Sequence, residues 1–197
     1  CMDLGLVVDR KTGRRFMDEH AGRKIKSDAL FKVIGTDENY PIAVCDDSIV
    51  KAINPSFVKL PLEMGTVKKF DTLEALAKDF NIPLDELKKT LAQVNESAKT
   101  KNDKPFGRYI NNEFKPLTEG PWYAAITSPK VHHCMGGLLT NMKGQVLDIM
   151  DQEPIPGLYA AGEATGGVHG MVRLGTVAVA DCMIFGRIAA RDAFKKA

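Results

Sequence analysis

A chain of 197 residues, 44% hydrophobic and 26% charged, has a globular composition and the length for one domain or two small ones. Its 27 basic and 25 acidic side chains leave a net charge of +2 and are scattered, which excludes the dense basic block of a nucleic-acid partner. No run reaches the ~20 apolar residues of a membrane span, and the start lacks the basic-then-apolar order of a signal peptide, so a soluble protein of cytoplasm or periplasm is expected. It opens on an apolar run with neither initiator methionine nor polar leader, as expected of a piece of a longer protein. Cys1, Cys45, Cys134 and Cys182 fit neither a metal-finger spacing nor a haem-attachment motif and read as free thiols.

In chain order, Leu4 to Val8 and Arg14 to Phe16 flank the polar, glycine-terminated loop Asp9 to Gly13, which suits a hairpin. A short strand follows at Ile42 to Cys45. Leu73, Leu76, Ala77 and Phe80 share one helical face over Thr72 to Phe80, with Asp71 and Glu74 as the expected capping pair. Pro83 opens a second helix whose apolar stripe is Leu84, Leu87, Leu91 and Val94. The polar run Glu96 to Pro105 reads as a surface loop. Beyond Trp122, strands are expected at Tyr123 to Ile126, Gly137 to Thr140 and Gln145 to Leu147, the last two joined by Asn141 to Gly144. Leu158 to Gly162 reads as a short strand ending on small residues, and a helix rich in small residues is expected from Val177 to Phe194. The domain boundary is placed near residue 131, giving domains 1–131 and 132–197.

Chemistry concentrates after that boundary. His132-His133-Cys134-Met135-Gly136-Gly137 sets imidazoles beside glycines, where backbone can approach a ligand closely; a histidine pair satisfied within a turn fits the same residues. His20 and His169 are the only other histidines, and no helical His-x-x-x-His spacing exists, so no metal site is expected. Residues 162–175 hold five glycines among fourteen positions, after a strand and before a helix, where backbone amides suit a phosphate or the electron-rich edge of a reduced flavin. Glu163 and Arg173 lie in that loop, and neither is needed for a turn. No G-x-G-x-x-G followed by an acidic residue ~20 positions on is present, so the usual dinucleotide phosphate loop is absent.

HHCMGG, IPGLYAAGEATGGVHG, and RLG leading into a helix with FGRIAA resemble the C-terminal third of the soluble FAD-dependent fumarate reductase and urocanate reductase flavoproteins. GPWYAA, the helices at residues 72–95 and Arg14-Arg15-Phe16-Met17-Asp18-Glu19 extend the resemblance over essentially the whole chain. It implies an α+β and α/β architecture: a clamp, or capping, domain, then the C-terminal segment of a Rossmann-like FAD-binding domain whose N-terminal half is missing. The implied activity is hydride transfer from reduced FAD to an activated C=C bond of a small unsaturated carboxylate such as fumarate, urocanate or an aryl-acrylate. The chain alone would then be inactive, and its electron donor is not indicated.

By the same resemblance Arg23, four residues after the R-F-x-x-E element, is the proton donor; an arginine can act so only when held by neighbouring carboxylates that reprotonate it. His133 and Arg173 are similar to the residues that clamp a substrate carboxylate, a planar guanidinium matching it with two parallel hydrogen bonds. Glu163 matches a residue that accepts a hydrogen bond from the flavin side chain, and Cys134, Ala178 and Val179 match positions that touch the flavin through backbone. Where relatives read R-L-G-G-N-A, this chain reads Arg173-Leu174-Gly175-Thr176-Val177-Ala178, so Thr176 narrows the substrate side of the pocket and Val177 removes a polar group; Gly170-Met171-Val172 also departs from the family. Two other readings remain open at this level: a dehydrogenase or ene-reductase of a less polar, steroid-type substrate, and a non-catalytic module that holds an anion on the glycine-rich loop.

Overall fold

A computed structural model describes residues 5–53, 56–118 and 120–196; Leu4 of the expected first strand and the expected free thiol Cys1 lie outside them. The chain divides into two compact units, Cys1–Pro129 and Lys130–Ala197. In order, the first contains β1 (Leu6–Val8), α1 (Arg23–Ile34), β2 (Ile42–Asp46), α2 (Asp47–Ala52), α3 (Ser56–Glu63), β3 (Lys68–Phe70), α4 (Leu73–Asp79), α5 (Leu84–Thr100) and β4 (Trp122–Ile126). The second contains β5 (Gln145–Leu147), β6 (Pro154–Tyr159), a 3-10 turn at Gly162–Ala164 and α6 (Gly175–Lys196).

The first unit is built on an antiparallel sheet in the order β1-β2-β4-β3. Strands β1 and β2 are apolar and buried throughout because both of their faces are covered, whereas the edge strand β3 exposes Lys68 and Lys69. Side chains alternate across a strand: Leu6, Val8, Ile42 and Val44 join the larger core, with Leu76, Leu87 and Val94 of α4 and α5. Val7 and Ala43 point the other way, into a smaller core with Met17 and Leu30 of α1.

Several local expectations need correction. Thr72, rather than Asp71, caps α4, its hydroxyl accepting from Ala75 N–H at 3.1 Å. The run Glu96 to Pro105 is not all loop. Helix α5 continues to Thr100 and ends on Lys101 in the left-handed region at φ 55°, because Ala98 prolongs the Leu87, Leu91, Val94 stripe and is buried with Ser97. The segment from Gly137 to Thr140 forms only isolated bridges, Leu138 to Thr165 in parallel and Thr140 to Val146 antiparallel. Helix α1 has no apolar stripe legible in sequence, because Leu30 alone among its residues is buried.

In the second unit β5 and β6 pair antiparallel, and the turn after β6 lies under α6. At Gly162 the backbone has φ +71°, and a Cβ there would lie 2.7 Å from Cys182 Sγ. Only glycine suits that approach.

Candidate active-site residues

The glycine-rich loop and the His132–Gly137 segment are brought together by backbone. Leu138 N–H donates to Ala164 C=O at 2.9 Å, and Gly166 N–H to Leu138 C=O at 3.1 Å. A Cβ on Gly137 would lie 2.5 Å from Ala164 O, so glycine is what allows two loops to run in contact. Across this seam Glu163 accepts from Cys134 N–H at 3.0 Å and sits 3.0 Å from His133 Nδ1. A carboxylate only accepts, so Nδ1 carries the proton. The Cys134 amide, and after it the charges of His133 and Arg173, hold the Glu163 carboxyl below its ordinary value.

His133 is a buried side chain, 8% exposed, whereas Glu163 is 54% exposed; the imidazole is thus anchored from the solvent side and aimed inward. Its Nε2 is buried without a hydrogen-bond partner, as are Arg173 Nε, His169 Nε2 and Asp181 Oδ1. Arg173 Nη1 donates to Gly175 C=O at 3.1 Å, which steadies the guanidinium at the entrance to α6. Buried polar atoms are ordinarily hydrogen-bonded, and as an imidazolium His133 donates from both nitrogens, so its unpaired Nε2 and the unpaired Arg173 Nε suit a small anion such as a carboxylate. Thr176 and Val179 are exposed and Ala178 half-buried on the first turns of α6. The amides that open a helix have no intrahelical acceptor, and at Gly175, Thr176 and Val177 the residues carrying them are exposed. These residues fit the electron-rich edge of a flavin.

His169 and Asp181 are the residues that sequence reasoning passed over. His169 Nε2 faces Asp181 Oδ2 at 3.6 Å, with both side chains buried, and the His133 and His169 rings meet edge to face at 5.3 Å. A signal existed: Asp181 is the only charged residue between Arg173 and Arg187, in a stretch otherwise suited to apolar packing. Among the described residues no three His, Cys, Asp or Glu side chains converge as metal ligands, and no helix is long and apolar enough to cross a membrane.

Arg23 lies in the first unit, exposed, as the first residue of α1. The turn that delivers it is held from below by a buried ionic cluster. Arg15 pairs with both Glu19 and Asp103, the latter at 2.9 Å. Arg108 reaches Glu19 at 3.2 Å and Gly5 C=O at 2.7 Å, while Glu19 also accepts from Val7 N–H at 3.2 Å. Arg108 lies 4.2 Å from the Phe114 ring centre and Arg15 5.0 Å from that of Phe106. Asp103 and Arg108 were not legible as partners of the R-F-x-x-E element, since 88 and 89 positions separate the pairs.

Comparison with known proteins agrees with the cofactor these residues suit. The family model described as FAD binding domain matches residues 3–179. The chain is 38% identical over 186 residues to the acrylate reductase flavoprotein subunit of Shewanella woodyi, covering 94% of this chain and 37% of the relative. It is 36% identical over 191 residues to a fumarate reductase (cytochrome) of Shewanella frigidimarina, covering 97% of this chain and 32% of the relative. Among solved structures, the open conformation of a flavocytochrome c3 fumarate reductase superposes with a TM-score of 0.76 at 36% identity, over 98% of this chain and 33% of that one. The chain thus spans about a third of the length of these relatives. Its mixed α/β fold is that of the fumarate reductase flavoproteins, and with the family model matched over most of its length the chain belongs to the FAD binding domain family of flavoprotein oxidoreductases.

Proposed function

We propose that this chain is the clamp domain, residues 1–131, and the C-terminal FAD-domain segment, residues 132–197, of a flavin-dependent reductase that saturates an activated C=C bond of a small unsaturated carboxylate. The observation that carries the reading is the buried His133 imidazole, fixed by Glu163 through Nδ1 and unpaired at Nε2, with the Arg173 charge acting on the same Glu163 carboxylate. Relatives named for acrylate, fumarate and urocanate reduction support the substrate class.

In this reading the His133 imidazolium, donating from Nε2, and the Arg173 guanidinium hold the substrate carboxylate, and Thr176 bounds the pocket beside it. Holding a substrate in one orientation accounts for up to about 7 kcal/mol of barrier reduction. Glu163 and the backbone at Cys134, Ala178 and Val179 hold FAD, which when bound supplies the hydride for one alkene carbon. Arg23 gives a proton to the neighbouring carbon and regains it through adjacent carboxylates, so one hydride and one proton are added across the double bond.

The test uses the flavin-loaded protein that carries this chain. Its reduced flavin is expected to be reoxidised, followed by absorbance, on addition of at least one of fumarate, urocanate, methacrylate or an aryl-acrylate. Failure with all four overturns the reading. Arg23→Gln is expected to lower turnover by ~10²–10⁴-fold, the usual contribution of a positioned proton donor, with the affinity for a saturated carboxylate nearly unchanged.

A further inference from the structure

We propose that Asp181 and His169 form a positioning pair for His133, an inference that rests on the reading of His133 as a carboxylate ligand. Asp181 is buried on α6 among small and apolar residues. Taking a carboxylate out of water is unfavourable by several kcal/mol unless a partner compensates, so an aspartate here is informative where valine or alanine would pack more cheaply. The group that faces it is His169, which compensates the carboxylate as an imidazolium, its Nε2 lying 3.6 Å away. That distance is too long for a hydrogen bond but within ion-pair range.

His169 in turn touches His133. The ring centres are 5.3 Å apart and the planes 76° apart, the edge-to-face geometry that aromatic pairs favour. His133 could turn about its Cβ–Cγ bond if Glu163 alone held it, because a single hydrogen bond to a half-exposed carboxylate is a hinge. With the second ring set against it, the imidazole is fixed at Nδ1 by one contact and in its plane by another. The atom left to meet a ligand is Nε2, buried and unpaired. Carboxylates behind metal-ligating histidines fix ring orientation through a direct hydrogen bond, the role that Glu163 has at Nδ1 here. Asp181 acts one ring further back, and Glu163 and Asp181 approach from separate elements, the turn after β6 and helix α6.

The experiment is a double-mutant cycle on the flavin-loaded protein that carries this chain. The Kd of a saturated, unreactive acid, succinate or 3-phenylpropionate, is read from its perturbation of the flavin spectrum. Asp181→Asn is expected to weaken binding about tenfold, equivalent to ~1.4 kcal/mol, with flavin content unchanged and KM raised more than kcat is lowered. In a His133→Gln background the same substitution is expected to weaken binding by less than about twofold, because the residue it positions is gone. Equal weakening in both backgrounds, or none in the first, overturns the positioning role. If His133→Gln itself leaves Kd unchanged, the carboxylate reading of His133 fails instead, and the proposal with it. Should Asp181→Asn lose flavin, His169→Gln in the same cycle decides by the same criteria.

Discussion

Asp103 shows how a buried charge becomes a pH-dependent term. Burial would push its carboxyl upward, but the hydrogen bond and charge of Arg15 outweigh burial and hold it below the ordinary value. A carboxyl depressed in the folded protein stabilises it above the unfolded value of about 3.9, and that stabilisation is lost as pH falls through the folded value. Asp103→Asn is therefore expected to destabilise the chain at pH 7 by roughly 3 kcal/mol, since it leaves Arg15 short of a partner. The difference from wild type should shrink as pH falls below about 4, as measured by denaturant melts across pH. Glu19, in contact with both arginines, cannot be traded singly for the same reason. Cys45 is a second case: burial raises its thiol to about 12, whereas Cys134 and Cys182 are exposed. A thiol reagent at pH 8 should label the last two in the native chain and Cys45 only after unfolding.

At the scale of elements, helix ends decided more than helix stripes. Thr72 closes α4 through one side-chain hydrogen bond, and Thr72→Ala is expected to lower stability by about 1 kcal/mol, read from the denaturation midpoint. The stripe of α5 was legible to Val94, but its last turn was not, because Ser97 is polar in sequence and buried in structure. What places it inside is tertiary: its hydroxyl donates to Gln93 C=O at 3.0 Å and reaches Asp103 at 3.3 Å. Helix α1 carries the proposed proton donor without a side-chain cap at Gly22. Its start is set instead by the buried Glu19 and by Lys26, which donates to Glu19 C=O at 3.2 Å.

Across the whole molecule the two units differ in what holds them. Both hydrophobic clusters lie in the first unit. In the second, Val146 and Ala189 are the buried apolar side chains among the described residues, while Val179, Met183 and Ile184 of α6 are exposed. Burial of apolar surface is the main source of stability, so hydrogen exchange of this chain by itself should show α5 and β2 protected long after α6 has exchanged. Comparable protection of α6 would contradict the account of where the cores lie.

The apolar run ending at Leu6 to Val8, the stripe from Leu84 to Val94 and the density of glycine in residues 162–175 are local patterns, and local geometry turns such patterns directly into strands, helices and close-approach loops. By itself, then, the sequence determined the strand at Ile42 to Cys45, the two central helices and the C-terminal helix, and it supplied the stretch that carries most of the proposed site residues. Only the tertiary structure decided which charges meet. Glu163 finds the Cys134 amide over 29 positions in the chain and His133 beside it, Asp181 finds His169, and Arg108 finds Glu19 over 89. Those pairings follow from loop closure and burial, and neither has a period that can be read along a chain.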